Sequence, residues 1–286
     1  MTAVHKDEVP VQGPDGHRWV LQARIPDDAR GGLLWLPALG TAARHYLPFA
    51  DALAARGIAV LVHEWRGYGA SNLRPGRAVD WGYRELLSLD LPATEAVADT
   101  LLPGLVRRTG GHSLGGQLAL CRVALAPSPG AGLWLVARGA PYWRAFPAPL
   151  RHALPLAYRF LPWLARARGF LPGRSVGFGG NEARSLVRDW SRTGLSGRYA
   201  AHGLQQDLEA RLSRLHLPVR AASFVDDWMA PPGSLRFLLT KVPRAEVQAR
   251  HFATRDLGAR ADHFAWMQAP GALAAWLAAD PGLPPA

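Results

Sequence analysis

Residues 111–115, which read Gly-His-Ser-Leu-Gly, constrain the fold of this chain more than any other segment. Glycines placed two residues before and two residues after Ser113 leave space for a sharp turn from a strand directly into a helix. Residues 117–124 have the composition of a helix, and residues 105–110 are the strand predicted to precede the turn. The segment therefore predicts a serine held on a strained turn above the carboxyl edge of a sheet.

Apolar segments alternate with helical ones before this turn. Residues 32–37 and 58–62 read as strands buried on both faces, and residues 46–56 between them read as a helix. A strand, a helix and a strand joined by short connections form a parallel βαβ unit. An amphipathic helix is expected over residues 83–100, where Pro92 should kink or break it. The predicted fold class is α/β.

Other elements complete this prediction at both ends of the chain. Residues 9–25 read as two strands joined by a Gly-Pro-Asp-Gly turn, which is a hairpin. Further strands are expected at residues 133–137, 219–224 and 246–254, and a last helix at residues 264–279.

Residues 140–216 have a different composition, rich in proline and aromatic residues and without a strand-like run of Val and Ile. We interpret them as a helical cap inserted into an α/β core formed by residues 1–139 and 217–286. An apolar stripe within the cap repeats at helical spacing and is expected to pack against the core, with a lipid-facing surface patch as the alternative. Its members are Leu150, Leu154, Ala157, Leu161 and Leu164.

A nucleophilic serine needs a histidine base and an acid that orients it, and the chain supplies both downstream in that order. Asp226 and Asp227 directly follow a predicted strand. Only two of the ten histidines, His251 and His263, lie beyond them, and His251 falls inside a predicted strand. We therefore predict Ser113 as nucleophile, His263 as base and Asp227 as acid, with Asp226 as the alternative acid.

The oxyanion formed by attack on a carbonyl needs backbone N–H donors. Leu114 follows the nucleophile and begins the helix, so its N–H is the first predicted donor. The second should come from the loop after the early strand, residues 37–40, where we choose Leu39.

The strand predicted before Ser113 contains Arg107 and Arg108, although a central buried strand is normally apolar. The sequence by itself gives no reason for these two charges.

Several motifs together resemble the α/β-hydrolase superfamily. They are the segments GHSLGGQ, LPALG followed by Tyr46, EWRGYGAS at residues 64–71, DDWMAPP and DHF. The cap, with GFLPG at residues 169–173 and Asp189-Trp190, is similar to bacterial predicted hydrolases near the serine aminopeptidase and monoacylglycerol-lipase-like groups. The resemblance covers nearly the whole chain.

This resemblance implies an α/β-hydrolase fold with a helical cap. It also implies a triad of Ser113, Asp227 and His263, with Leu39 and Leu114 as oxyanion donors. Two departures stand out. The chain has Pro37-Ala38 where the oxyanion loop usually begins His-Gly, and Glu64 where an Asp is usual.

Composition and the remaining motifs argue against nucleic-acid binding, nucleotide binding and metal binding. The net charge of +11 comes from arginines scattered singly or in pairs, which indicates a basic surface and not a nucleic-acid face. The chain has no dinucleotide fingerprint, P-loop or H-E-x-x-H motif, and its single cysteine, Cys121, rules out a Cys-based zinc site. We expect no cofactor and no metal.

The location is expected to be cytoplasmic. One cysteine forms no intramolecular disulfide, the polar start of the chain does not read as an export signal, and no window of 18 apolar residues is present. Weak contact with a membrane surface and the oligomeric state both stay open.

These observations favour a hydrolase that cleaves a carboxylic ester, thioester or small amide through an acyl-enzyme. Its aromatic cap favours an uncharged, short to medium acyl group as the small-molecule substrate. An acyltransferase that uses the same residues is one alternative. A non-catalytic binding protein for an apolar ligand is the other.

Overall fold

The computed structural model describes residues 3–128, 130–177 and 179–285 of the chain, and one large sheet dominates it. The strands of this sheet are β1 (Val4–Gln12), β2 (Arg18–Pro26), β3 (Gly31–Leu36), β4 (Ile58–Val62), β5 (Arg107–His112), β6 (Leu133–Val136), β9 (Pro218–Phe224) and β10 (Glu246–Phe252). They lie in the order β1-β2-β4-β3-β5-β6-β9-β10. Strand β2 pairs antiparallel with β1 and β4, and the other neighbours are parallel.

Among the described residues, ten α-helices flank or follow these strands. Seven lie outside the cap segment: α1 (Leu47–Ala54), α2 (Tyr83–Glu85), α3 (Leu91–Leu101), α4 (Leu114–Leu125), α8 (Pro232–Leu239), the short α9 (Thr254–Leu257) after β10, and α10 (Gly271–Ala278). Between β6 and β9 lie α5 (Leu150–Arg168), α6 (Arg184–Ser196), α7 (Leu208–Leu212) and a ladder of two short strands, β7 (Leu171–Pro172) and β8 (Asn181–Glu182).

The central strands β3 and β4 are buried on both faces, as their continuous apolar runs predict. In β3, Leu33 and Trp35 belong to one core cluster and Leu34 and Leu36 to the other, because successive side chains point to opposite faces. Helices α1 and α10 cover the first face, and α3 and α4 cover the second. Because the strands from β4 to β10 in the sheet order run parallel, their carboxyl ends lie along one edge of the sheet.

The helix expected over residues 83–100 is interrupted just before Pro92, as predicted. A π-helical turn, Leu86–Asp90, joins α2 to α3, and Leu91 N–H bonds to Leu86 O across five residues. Because Pro92 has no N–H, the Leu87 carbonyl needs another donor, and Arg122 Nη1 lies 3.2 Å from it.

The predicted strands are confirmed, with boundary changes of one or two residues except at β1, which begins five residues earlier than expected, at Val4. The predicted last helix is wrong in its bounds. Residues 265–268 form a 3₁₀ turn, and α10 begins only at Gly271, directly after Pro270. Proline fits the first turn of a helix and not its interior, so it separates the two elements. Strand β5 lies two residues later than expected and runs straight to Ser113.

The segment proposed as a cap is mainly helical. Helices α5 and α6 pack against each other, whereas Leu208 and Leu212 of α7 join the core cluster that contains Leu118 of α4. The boundaries 140 and 216 stay a prediction. Among the described residues, no helix has both the length and the apolar character needed to cross a bilayer.

A fully buried polar cluster ties the hairpin to the loop after β4. Asp90 accepts hydrogen bonds from Arg66 Nε at 2.7 Å and Arg66 Nη2 at 2.6 Å, and His17 Nδ1 lies 3.1 Å from it. The other ring nitrogen of His17 lies 3.0 Å from Ser71 Oγ. Arg66 also pairs with Asp15 in the hairpin turn at 2.8 Å. The Arg-Gly-x-Gly-x-Ser segment is therefore part of the scaffold.

The structure explains the two arginines of β5. Arg108 is buried and donates to both carboxylate oxygens of Asp280, from Nε at 2.8 Å and from Nη2 at 3.2 Å. Trp134 Nε1 donates to the same carboxylate at 2.9 Å. These donors lower the pKa of Asp280 although burial opposes them. Arg107 reaches outward and pairs with the exposed Asp99.

We expect Arg108→Met to lower the free energy of unfolding by about 3–5 kcal/mol, because it leaves the Asp280 carboxylate buried without its partner. Denaturant unfolding measures the loss. Adding Asp280→Asn removes the charge and keeps an amide oxygen for Trp134 Nε1, so the double variant should recover most of the stability. A single variant within about 1 kcal/mol of the parent protein would contradict this account.

Candidate active site

Ser113 lies on the strained turn that the sequence predicts between β5 and α4. Its φ of 53° and ψ of −120° are unusual for a residue with a side chain. A Cβ atom on Gly111 would lie 2.4 Å from the Gly115 carbonyl carbon, and one on Gly116 would lie 2.3 Å from Arg138 Cδ. Only glycines permit this close packing of the strand end against the helix start.

The start of α4 also packs against the loop after β3. A Cβ atom on Gly115 would lie 2.1 Å from Leu36 O and 2.3 Å from Pro37 O. The free N–H groups at the first turn of α4 therefore lie close to the loop that contains Leu39. Both Leu39 and Leu114 line the cavity that Ser113 faces.

A hydrogen-bonded chain holds this loop to the residue before Ser113. Ala38 N–H donates to Tyr46 Oη at 2.9 Å, and Tyr46 Oη lies 2.8 Å from His112 Nδ1. Burial raises the pKa of Tyr46 and lowers the pKa of His112, so both groups stay neutral. The hydrogen bond between the phenol and the imidazole therefore joins two neutral groups and orders the loop and the turn together. Sequence reasoning quoted Tyr46 only as part of a motif and assigned His112 no role.

Asp227 and His263 meet at the carboxyl ends of β9 and β10. His263 Nδ1 lies 2.9 Å from each carboxylate oxygen of Asp227. The N–H groups of Met229 and Ala230 also donate to Asp227 Oδ1, at 3.0 and 2.9 Å. Backbone donors thus hold the carboxylate in place independently of its contact with the imidazole. Asp226, the alternative acid, is exposed.

Backbone contacts bring the two loops together. Asp226 N–H donates to Ala261 O at 2.9 Å, which joins the loop after β9 to the segment that contains His263. Asp262 caps the following 3₁₀ turn, and Trp266 Nε1 donates to His263 O at 3.1 Å. His263 is therefore positioned from both sides along the chain.

One cavity of about 390 Å³ connects these groups, and Ser113, His263, Leu39 and Leu114 all line it. His263 Nε2 is buried and has no hydrogen-bond partner among the described residues. Other parts of the wall are apolar and come largely from the cap segment: Phe146, Leu150, Leu154, Ala157, Leu161 and Trp190. Four members of the stripe expected to pack against the core thus face this cavity.

Comparison with known proteins decides the family. The model of a family described as "Serine aminopeptidase, S33" (Hydrolase_4) matches residues 27–254. The chain belongs to this family. It is therefore an α/β-fold serine hydrolase, as the motifs around Ser113 indicate. Among curated proteins, no significant match was found.

Solved structures show the same fold over nearly the whole hydrolase. An esterase domain from a Rhodothermus marinus protein aligns with TM-score 0.61 at 16% identity, covering 96% of this chain and 98% of that chain. Est1E from Butyrivibrio proteoclasticus with bound ferulic acid gives 0.64 at 13%, covering 94% and 97%. A thioesterase domain from the curacin biosynthetic pathway gives 0.58 at 16%, covering 96% and 99%. The α/β-hydrolase fold with an eight-stranded sheet is thereby confirmed.

Glu64 occupies the position where the hydrolase resemblance leads us to expect Asp, and it supports the loop beside the site. Its Oε1 accepts a hydrogen bond from Ala43 N–H at 3.0 Å, and the side chain packs against Gly69. Burial raises the pKa of Glu64 to about 7, against the opposing effect of the Ala43 N–H. The carboxyl group therefore titrates near neutral pH.

We expect the hydrolase to lose stability as pH rises between about 4.5 and 7, because Glu64 ionises more easily in the unfolded chain than in the folded one. The full effect is about 3 kcal/mol. Glu64→Gln keeps an acceptor for Ala43 N–H and cannot ionise, so this part of the pH dependence should disappear. Urea unfolding of both proteins across this range measures the difference. Parallel curves would show that Glu64 does not titrate there.

Proposed function

We propose that this hydrolase cleaves an ester, thioester or small amide of an apolar acyl group, with Ser113 as nucleophile, His263 as base and Asp227 as acid. The observation that carries the proposal is the pairing of His263 Nδ1 with both oxygens of Asp227, while Nε2 has no hydrogen-bond partner among the described residues and His263 lines the same cavity as Ser113. This arrangement leaves one ring nitrogen to accept a proton from the serine.

In the proposed reaction, His263 removes the proton from Ser113 Oγ as this oxygen attacks the carbonyl carbon. The imidazolium is stabilised by Asp227 and then gives the proton to the leaving group, so an acyl-enzyme remains. Water, deprotonated by the same histidine, attacks the acyl carbonyl. The bond between the acyl carbon and Ser113 Oγ then breaks, His263 returns the proton to Oγ, and the carboxylic acid product leaves. The strained turn supports these steps because it exposes Oγ at the sheet edge.

The oxyanion is assigned to the N–H groups of Leu114 and Leu39. Leu114 is the first residue of α4, where helix N–H groups lack partners within the helix. In the loop after β3, Pro37 has no N–H and the N–H of Ala38 donates to Tyr46. Leu39 is the next residue along the loop, and its contact with the cavity supports the choice.

The proposed acyl site is the apolar part of the cavity under residues 140–216, which we propose to act as a cap. Four stripe residues of α5 line it together with Phe146 and Trp190. No Asp or Glu lines this cavity in the part of the chain that the structure describes, so a substrate amine would meet no fixed counter-charge. The structural neighbours described as an esterase and as a thioesterase support acyl chemistry.

A fluorophosphonate probe tests the nucleophile. We expect the parent protein to be labelled covalently and Ser113→Ala to be unlabelled, because the probe phosphorylates an activated serine. Intact-mass spectrometry measures the added group. A folded parent protein that takes up no label would replace this proposal with a binding protein for an apolar ligand.

The two adjacent aspartates provide a matched control for the same test. Asp227→Asn should lower turnover by a factor on the order of 10⁴, because the imidazole loses the carboxylate that orients it. Asp226→Asn, which changes an exposed side chain, should leave turnover near normal. The reverse pattern would transfer the acid role to Asp226.

A substrate panel tests the acyl site. We expect faster hydrolysis of short to medium acyl p-nitrophenyl esters than of aminoacyl p-nitroanilides, since the cavity is apolar and offers no carboxylate for an amino group. The values of kcat/KM for both sets decide the matter. Faster cleavage of the anilides would assign aminopeptidase chemistry to the same three residues.

A further inference from the structure

Helix α5 presents apolar side chains on two separate faces. Leu154, Ala157 and Leu161 line the cavity with Ser113. On a second face, Leu156, Phe160 and Trp163 are 70%, 52% and 63% exposed, and they are spaced by four and three residues. The rings of Phe160 and Trp163 lie 5.7 Å apart. Large exposed apolar groups clustered in this way mark an interaction surface.

The charge around this face has one sign. From Ala140 to Asn181 the sequence has six arginines and no Asp or Glu. All six are exposed, and within the described residues none forms an ion pair with a carboxylate: Arg144, Arg151, Arg159, Arg166, Arg168 and Arg174. No carboxylate among the described residues therefore neutralises their charge.

Three of these arginines accompany the exposed apolar side chains along the helix. Arg151, Arg159 and Arg166 are spaced by eight and seven residues, so they follow one side of the helix over its length of about 28 Å. Helices that lie at a bilayer surface combine Trp, Phe and Leu with arginine in this way. Aromatic rings favour the interfacial layer, and arginines favour anionic headgroups.

We propose that this surface docks on a bilayer that contains anionic phospholipid. We call it the α5 outer face and define it by Leu156, Phe160 and Trp163 with Arg151, Arg159 and Arg166. An anionic headgroup layer complements positive charge spread along a whole helix beside exposed apolar rings, and α5 has no carboxylate that would repel it. The apolar side chains enter the interfacial layer. This inference goes beyond the proposed reaction and does not require it.

Docking in this orientation would bring the cavity to within about one helix diameter, ~10 Å, of the lipid surface. The reason is that another face of α5 forms a wall of the cavity. Val176, Trp228 and Phe264 line the same cavity and are 40%, 67% and 39% exposed, so they border its opening. An apolar molecule that leaves the bilayer would meet apolar side chains along this border.

Co-sedimentation of the full chain with vesicles tests the proposal. One set of vesicles contains phosphatidylcholine alone, and the other contains equal parts of phosphatidylcholine and phosphatidylglycerol. We expect binding to the anionic vesicles to be about tenfold or more stronger, and to weaken as salt is added. Equal binding to both sets, or no binding to either, would overturn the proposal.

Two triple variants test the two components of the α5 outer face. The apolar variant is Leu156→Ser, Phe160→Ser and Trp163→Ser, and the charge variant replaces Arg151, Arg159 and Arg166 with Gln. Each should lower binding to anionic vesicles by about tenfold or more. Thermal unfolding checks that both variants fold. If the apolar variant bound anionic vesicles as strongly as the parent protein, the contact would be electrostatic adsorption alone. That result would contradict insertion of the apolar side chains into the interfacial layer.

Matched changes elsewhere on the surface serve as controls. The apolar control is Val106→Ser with Val247→Ser, which removes exposed apolar side chains that lie outside the cap segment. The charge control replaces Arg214, Arg244 and Arg255 with Gln and so removes as many positive charges as the charge variant. Both controls should bind vesicles like the parent protein. An equal loss of binding in the controls would show that the contact depends on the net charge of the protein and not on the α5 outer face. Tighter binding of the parent protein to soluble polyglutamate than to vesicles would assign the contact to an acidic protein.

Discussion

The close approach of backbone at the turn around Ser113 is the constraint on which the site depends. Gly111 and Gly115 let β5, α4 and the loop after β3 pack with backbone atoms in contact, where any side chain would collide. That contact sets the strained angles of Ser113 and brings the first N–H groups of α4 beside the loop that contains Leu39. The position of Ser113 and the position of the proposed oxyanion donors thus follow from the same packing.

Patterns that depend on local geometry were predictable from the sequence. The glycine spacing around Ser113 indicated a turn from strand to helix because no other residue fits it, and the apolar runs of β3 and β4 indicated burial on both faces. The choice of His263 rested on chain order and on the placement of His251 in a strand, where β10 does contain it. The glycine spacing and the apolar runs each involve only a few neighbouring residues, whereas the choice of His263 used the order of functional groups along the whole chain.

Features that depend on distant partners were not predictable. Arg108 fits a central strand only because Asp280 lies beside it, 172 residues later in the chain. The apolar stripe of α5 showed that one face is covered, but its periodicity is the same whether the covering surface is a packed core or a cavity wall. The contact of Tyr46 with His112 likewise joins a helix start to a strand end, and neither residue type indicates the other.

The three side-chain types of the proposed triad also lie together at a second place among the described residues. In the buried cluster, Ser71, His17 and Asp90 show a serine–imidazole–carboxylate geometry with distances of 3.0 and 3.1 Å, and none of them is more than 4% exposed. Ser71 Oγ there accepts N–H groups from Gly67 and Leu73, so its lone pairs are engaged. A search of coordinates for triads by distance alone would select this cluster ahead of Ser113. Substrate access and an unengaged hydroxyl, and not the spacing of three functional groups, separate a reactive serine from a scaffold serine.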